Sequence, residues 1–573
     1  MSRRVRPPRW ITSIGCCLAF LMLLPVAAAA RPSPEALDEL AGEFWAWRAR
    51  TQPFSGDDIP RIERPADWLP DWSPAGIAAQ RRELEVFERR WKLMDARGWP
   101  VSRQVDYRLI GSALARVRWE LEILQRWRHN PYFYIDQTLG SIFEPLLPPP
   151  PFDAQRSRTI VRRLQAMPQT LEHARVNLDQ PQAPFARLAI SALTDVRGRL
   201  GTMQRGLQPL LDASSAAQLP EATEKAIVAL EAYRAWLKQR LPQMPEKTAV
   251  GRDAYMFFLK HVALIPFTPE QLLAMGKQEW DRAVSFEAYE QQRNQGLPQL
   301  PLFPDQEAQM EREKRAELAV RRFLEEKGIL SVPSWVKHYR NLPLPPYLEP
   351  LSFLGVTADH TSATRLGEDG VSYIRPPSPN LGYFGLSTAR DPRPILVHEG
   401  VPGHYFQLVL SWAQENPIRR HYYDSGPNEG LGFYAEEMML QAGYFDDSPR
   451  TREIIYNFMR LRALRVEADV RLALGEFSIG QAAEYLRTAV PMDAETAHEE
   501  AASFAAGPGQ AITYQIGKLQ ILELLAAARR AQGVDFRLRD FHDFLWKNGN
   551  VPLALQRWEY LGLDDQVKEL DRE

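Results

Sequence analysis

Cysteine is almost missing from this sequence: 573 residues contain two, Cys16 and Cys17, side by side near the start. Once a leader carrying both is removed, the chain has no thiol, no disulfide framework and no cysteine-ligated metal site. Charge of one sign is missing too. The 70 basic and 72 acidic side chains leave a net charge of −2, with no basic stripe, which excludes nucleic acid as a partner. Internal repeats are absent, and so are long flexible linkers. The one stiff stretch is Leu146-Leu-Pro-Pro-Pro-Pro-Phe152, an extended connection between helical layers. The rest is ordinary globular composition, 45% hydrophobic and 25% charged.

Residues 1–30 have the three parts of a secretory signal. Arg3, Arg4, Arg6 and Arg9 form a basic head, Ile11 to Val26 an apolar middle, and Ala28-Ala-Ala30 a cleavage site. The apolar part is shorter than the roughly 20 residues a spanning helix requires, so no stable membrane span is expected after cleavage near Ala30. Ser13-Ile-Gly-Cys16 lacks the leucine that a lipoprotein signal carries three residues before its cysteine. The expected location is periplasmic or secreted.

After the leader, residues 31–573 read as one mainly α domain, with 31–330 walling a deep cleft and 331–573 forming a catalytic half. Pro34 to Arg50, Ser73 to Arg97, Ser102 to Arg128, Ala154 to Leu178 and Ala222 to Leu241 carry apolar residues at three- and four-residue spacing. Thr268-Pro-Glu-Gln271 is a helix start, with a capping hydroxyl, proline at the first position and Gln three residues on. Between Ser331 and Ala389 the periodicity fades. Val371 to Ile374 and Gly382 to Ser387 predict a small antiparallel sheet.

The chemistry is concentrated in Ile395-Leu-Val-His-Glu-Gly-Val-Pro-Gly-His-Tyr-Phe-Gln407 and in Asn428-Glu-Gly-Leu-Gly-Phe-Tyr-Ala-Glu-Glu437. Neutral imidazoles plus a carboxylate suit Zn²⁺, and a further carboxylate beside the metal can take a proton from water. The usual His-Glu-x-x-His signature sets its histidines four apart on one helical face; here His398 and His404 are six apart. At about 100° per residue a straight helix would turn them roughly 240° from each other. Pro402-Gly403 is expected to bulge the helix and bring His404 back; the other reading is that Pro-Gly ends a helix and the histidines are unrelated. His360 and His542 are read as structural. The charges between Arg450 and Leu474 are read mostly as a solvated or ion-paired face, with Arg462, Arg465 and, further on, Lys518 as candidate cations for a substrate carboxylate.

These two motifs resemble the paired motifs of the domain-of-unknown-function-885 family, whose members are similar to the gluzincin metallopeptidases. The likeness extends to Gly507-Pro-Gly-Gln-Ala-Ile-Thr-Tyr-Gln-Ile-Gly517 and Phe541-His-Asp-Phe-Leu-Trp-Lys-Asn-Gly-Asn-Val-Pro-Leu553, and less strongly to Gly251-Arg-Asp-Ala-Tyr255 and Thr268 to Leu272. The resemblance implies a large helical metallopeptidase-like fold with one zinc ion held by His398, His404 and Glu429. It also implies Glu399 as general base and Tyr514 as donor to the oxyanion. Glu436, seven residues beyond Glu429, would accept a hydrogen bond from a ligand imidazole, and Glu437 would face solvent. The run Gly382 to Thr388 would be either the edge strand that binds an extended peptide or a supporting hairpin. The expected activity is hydrolysis of short peptides, with cleavage near the C-terminus implied by the resemblance alone. A metal-dependent amidase or esterase acting on a non-peptide substrate and a non-catalytic helical binding protein are the competing readings.

Overall fold

Amphipathic periodicity over most of the chain produces a mainly helical molecule in the computed structural model, which describes Met1 and residues 33–55 and 62–572. The expected leader lies outside the described residues, apart from Met1. Five long helices build the N-terminal half: α1 (Pro34–Thr51), α2 (Pro74–Lys92), α3 (Val101–Arg118), α4 (Ala154–Asn177) and α5 (Ala213–Arg240). Side-chain caps fix several starts. Ser73 accepts from the backbone of Gly76, Asp153 from Arg156 and Asp212 from Ser214 and Ser215, satisfying donors that the first turn leaves unpaired. α3 is shorter than its periodicity suggests, giving way at Trp119 to a π turn, Trp119–Ile123. The Leu146–Phe152 stretch leaves the preceding helix at Leu146 and runs without regular structure to α4, as expected.

The core beneath these helices, including Phe44, Leu109, Ile110, Leu164 and Leu230, also takes in Ile418, Tyr422, Val551 and Leu555 from far along the chain. Burying each such side chain contributes about 1.5–3 kcal/mol. Segments of both halves therefore meet in one apolar cluster. No helix of the described residues is long and apolar enough to cross a membrane.

The second half begins with α6 (Pro269–Arg293), whose capping box at Thr268 and Gln271 forms as expected, and α7 (Gln306–Glu326). A three-stranded sheet follows: β1 (Tyr339–Pro343), β2 (Ala358–Asp359) and β3 (Gly370–Ile374), in the order β1-β3-β2. It is mixed rather than antiparallel. β1 runs parallel to β3, with Tyr339 opposite Gly370, and only the two-residue β2 is antiparallel. The crossover from β1 to β3 is long enough to bring β3 back in the same direction.

The run expected as an edge strand or hairpin is instead a helical turn, α8 (Tyr383–Thr388). The rings of Tyr383 and Phe384 pack at a tilt against Phe458, with centroids 5.7 Å away, and the Tyr383 hydroxyl donates to Asn457. Aromatic content gave the strand signal; packing against a helix decides otherwise. The remaining principal helices are α9 (His404–Trp412), α10 (Ser425–Gln441), α11 (Pro449–Leu474), α12 (Thr513–Gln532) and α13 (Leu538–Lys547).

Candidate metal centre

The His-Glu-Gly-Val-Pro-Gly-His segment does not bulge within one helix, as its spacing suggested; it breaks. A short helix (Arg393–Ile395) continues as a π turn, Leu396–Gly400, and stops. The chain then passes through a cis Val401–Pro402 bond and re-enters helix at His404. Gly403 is obligatory: a Cβ there would lie 1.7 Å from the carbonyl oxygen of His398. Trp546 of α13 holds the break, donating to the Pro402 carbonyl at 2.6 Å. The break faces the two imidazoles toward each other, with ring centroids 4.7 Å apart.

α10 brings the third donor. Its start is capped by Asp424, whose carboxylate accepts from the Gly426 backbone and from Arg116 of α3. Gly430 of α10 meets Gly517 of α12 so closely that a Cβ on Gly430 would stand 2.5 Å from the Gly517 Cα. That contact sets Glu429 and Tyr514 on neighbouring helices against the same site. Glu429 Oε2 lies 3.3 Å from His398 Nε2 and 3.1 Å from His404 Nε2. The three donor atoms fall within 4.8 Å of one another, and all three residues are buried.

The donor set fits a cation. Two atoms bound tetrahedrally at about 2.0–2.1 Å lie roughly 3.3 Å apart, close to both observed separations. Proton accounting agrees. His398 has a carboxylate on each ring nitrogen, Glu436 on Nδ1 at 2.7 Å and Glu429 on Nε2. A neutral imidazole donating to Glu436 turns a lone pair toward Glu429, so a cation must sit between them or the ring must be protonated. In the protein alone, burial pulls the His398 imidazole down, but the hydrogen bonds to Glu429 and Glu436 outweigh it and raise it to about 9. Burial likewise pushes the Glu429 carboxyl up, and the two imidazoles overcome it, holding Glu429 well below the usual carboxylate range.

Around this triad the structure arranges supports. Glu436 also pairs with Arg462 at 3.2 Å. The Tyr514 ring stacks on His398 at 6.0 Å and 14°, and Arg465 lies 4.6 Å from the Tyr514 ring centroid. Burial raises the Tyr514 hydroxyl well above its ordinary value, so it stays an O–H donor. Glu399, half-buried, projects from the π turn beside His398.

The candidate cations are buried. Lys518 is committed to Glu279 at 3.0 Å and Glu437 at 2.8 Å, and burial lowers its ammonium to about 8. Glu437 is therefore buried and paired, not facing solvent. Arg465 forms a bidentate pair with Glu500, both contacts 2.7 Å. Arg462 touches Glu436 through one nitrogen, and its Nε and Nη1 have no hydrogen-bond partner. His360 stacks on Tyr339 at 5.7 Å, and His542 is buried between Tyr434 and the Ile329 carbonyl. Neither belongs to the His398–His404–Glu429 cluster.

One residue escaped the sequence reading. Asp469 of α11 is buried, not on a solvated face. It accepts from the backbones of Gly509 and Ala511 and from the Tyr255 hydroxyl, pinning the loop that leads to Tyr514. Its apolar neighbours Val466, Ala468 and Val470 were the available signal.

A mainly helical fold with a buried His-His-Glu triad able to hold a metal defines the class this molecule represents. The chain belongs to the family described as "Bacterial protein of unknown function (DUF885)", whose model matches residues 54–294 and 367–558. Two solved structures share the fold. One is "a putative lipoprotein of unknown function from Shewanella oneidensis", 16% identical with a TM-score of 0.69, covering 92% of this chain and 100% of its own. The other is "the putative lipoprotein from Colwellia psychrerythraea", 16% identical with a TM-score of 0.72, covering 95% and 100%. No curated protein matches the sequence.

Proposed function

We propose that this chain is a zinc-dependent hydrolase of short peptides, working outside the cytoplasm, with a site of the gluzincin kind. The observation that carries this reading is the convergence of His398, His404 and Glu429 in a buried cluster, with the free carboxylate of Glu399 next to His398 in the chain. A divalent ion held there supplies Lewis acidity, polarising a carbonyl and acidifying water. Glu399 takes one proton from the attacking water, whose oxygen bonds to the carbonyl carbon. Tyr514 donates a hydrogen bond to the resulting oxyanion. Glu399 then passes its proton to the amide nitrogen as the C–N bond breaks, yielding a carboxylic acid and an amine. For cleavage near a C-terminus, Arg462 is the cation with donors to spare. The leader pattern and the names of the two structural neighbours support export.

The test is digestion of a mixed peptide library by zinc-loaded protein, read by mass spectrometry beside a panel of non-peptide amides and esters. Peptide products are expected, and Glu399→Gln is expected to lose about 10²–10⁴-fold in rate while retaining its metal. Turnover confined to the non-peptide panel, or undiminished in Glu399→Gln, rejects the reading.

A further inference from the structure

Between the N-terminal helices and the segments that carry the metal centre lies a cavity of about 520 Å³, within the range of ligand-binding pockets. Its wall is rich in rings, among them Trp45, Trp119, Trp127, Phe258, Trp412 and Tyr422. Its four arginines are already engaged. Arg48 binds Glu120 at 2.5 Å, Arg116 binds Asp424 at 2.5 Å, Arg126 binds Asp136 at 2.9 Å, and Arg420 donates to the Gln414 carbonyl at 2.8 Å. A wall of rings in which three of the four arginines are neutralised by carboxylates, and the fourth is held by a carbonyl, suits an apolar, ring-bearing guest.

The cavity is tied to the metal centre. Leu408 and Ser425, in its wall, lie one helical turn, about 6 Å, from His404 in α9 and Glu429 in α10. Gln510, also in the wall, stands four residues before Tyr514 and donates to Ser425 at 2.6 Å. Asn550 of the wall accepts from Gln407, which accepts from Asn428, the neighbour of Glu429. α9, α10 and the loop before α12 thus form one side of the chamber.

We propose that this chamber is the side-chain specificity pocket of the metal centre, taking an aromatic or bulky apolar side chain next to the scissile amide. The inference rests on the hydrolase reading above and names its substrate class.

The binding experiment uses the full-length Glu399→Gln chain, in which the probe is not consumed. N-acetylphenylalaninamide and N-acetylglycinamide are titrated by saturation-transfer NMR. The phenylalanine probe is expected to bind at least tenfold more tightly. Ala49→Trp and Ala506→Trp fill the chamber from two sides and touch none of the catalytic groups. Each is expected to weaken the phenylalanine probe at least tenfold, with little change for glycine and an unchanged thermal midpoint. In the otherwise wild-type enzyme the same two substitutions are expected to cut kcat/KM for peptides with Phe beside the scissile bond tenfold, sparing Gly peptides. Equal binding of the two probes, or a preference that survives both fillings, overturns the proposal. Hydrolysis without aromatic preference defeats the pocket and leaves the hydrolase. Aromatic binding with no hydrolysis of any peptide defeats the hydrolase and leaves the pocket's guest chemistry standing.

Discussion

At position 432 the absence of a side chain decides how close two imidazoles can stand to the helix that supplies the third donor. A Cβ on Gly432 would lie 3.0 Å from His404 Cε1 and 3.1 Å from His398 Cε1, tighter than ordinary contact. Gly432→Ala is therefore expected to displace both rings and weaken metal affinity by about tenfold or more, as read by competition with a chromophoric chelator. Glu436 acts on the same imidazole through a hydrogen bond. Glu436→Gln replaces a carboxylate that orients the His398 ring, and loss of such a partner costs about 10–100-fold in affinity. If chelator competition leaves both variants at wild-type affinity, the geometry assigned to the two histidines is wrong.

α11 and the loop before α12 show how one buried carboxylate positions a donor on another element. Burial raises the Asp469 carboxyl to about 7, against hydrogen bonds from Gly509, Tyr255 and Ala511. Asp469→Asn turns an amide N–H₂ toward backbone N–H groups, and an unsatisfied buried polar contact costs about 1–3 kcal/mol. The variant is expected to unfold earlier in thermal scans and to lose kcat through a misplaced Tyr514, with metal stoichiometry unchanged; a normal kcat would separate the loop from catalysis.

The elements also show what a sequence can and cannot disclose. The helices of the N-terminal half and the Thr268 capping box were legible because they depend on local periodicity and local hydrogen bonds. His398 and His404 were legible because few structural roles require two imidazoles and a carboxylate inside an apolar run, and Glu429 was legible through the family resemblance. The break at Val401–Gly403 was not, since a six-residue spacing is compatible with either a bulge or two helices. The Tyr383–Thr388 turn was misread because its partner, Phe458, is distant in the chain. Asp469 and Glu437 were misread as solvated charges for the same reason: their partners come from segments that only the tertiary fold brings near.

Across the whole molecule, His542 links α13 to the segment that leads into the sheet. It is fully buried, donating from Nδ1 to the Ile329 carbonyl and accepting at Nε2 from the Tyr434 hydroxyl, both at 2.8 Å. Burial lowers its imidazole to about 4, below the ordinary value near 6.5. The unfolded chain therefore binds a proton that the folded chain refuses. The neutral ring's contribution is complete above about pH 6.5 and is lost as pH falls toward 4, on the order of 3 kcal/mol. His542→Phe removes that titration. It is expected to be less stable than wild type at pH 7.5 but to lose less on acidification to pH 4.5, as followed by denaturant midpoints. Parallel pH profiles for the two proteins would show that His542 titrates normally.

The central claim is that three side chains, brought together by a broken helix and the helix after it, hold one ion. Elemental analysis of zinc-loaded, desalted protein tests it most directly. The account predicts one zinc per chain in the wild type and essentially none in His404→Ala or Glu429→Gln. A wild-type chain that retains no ion, or variants that retain as much as wild type, would contradict it.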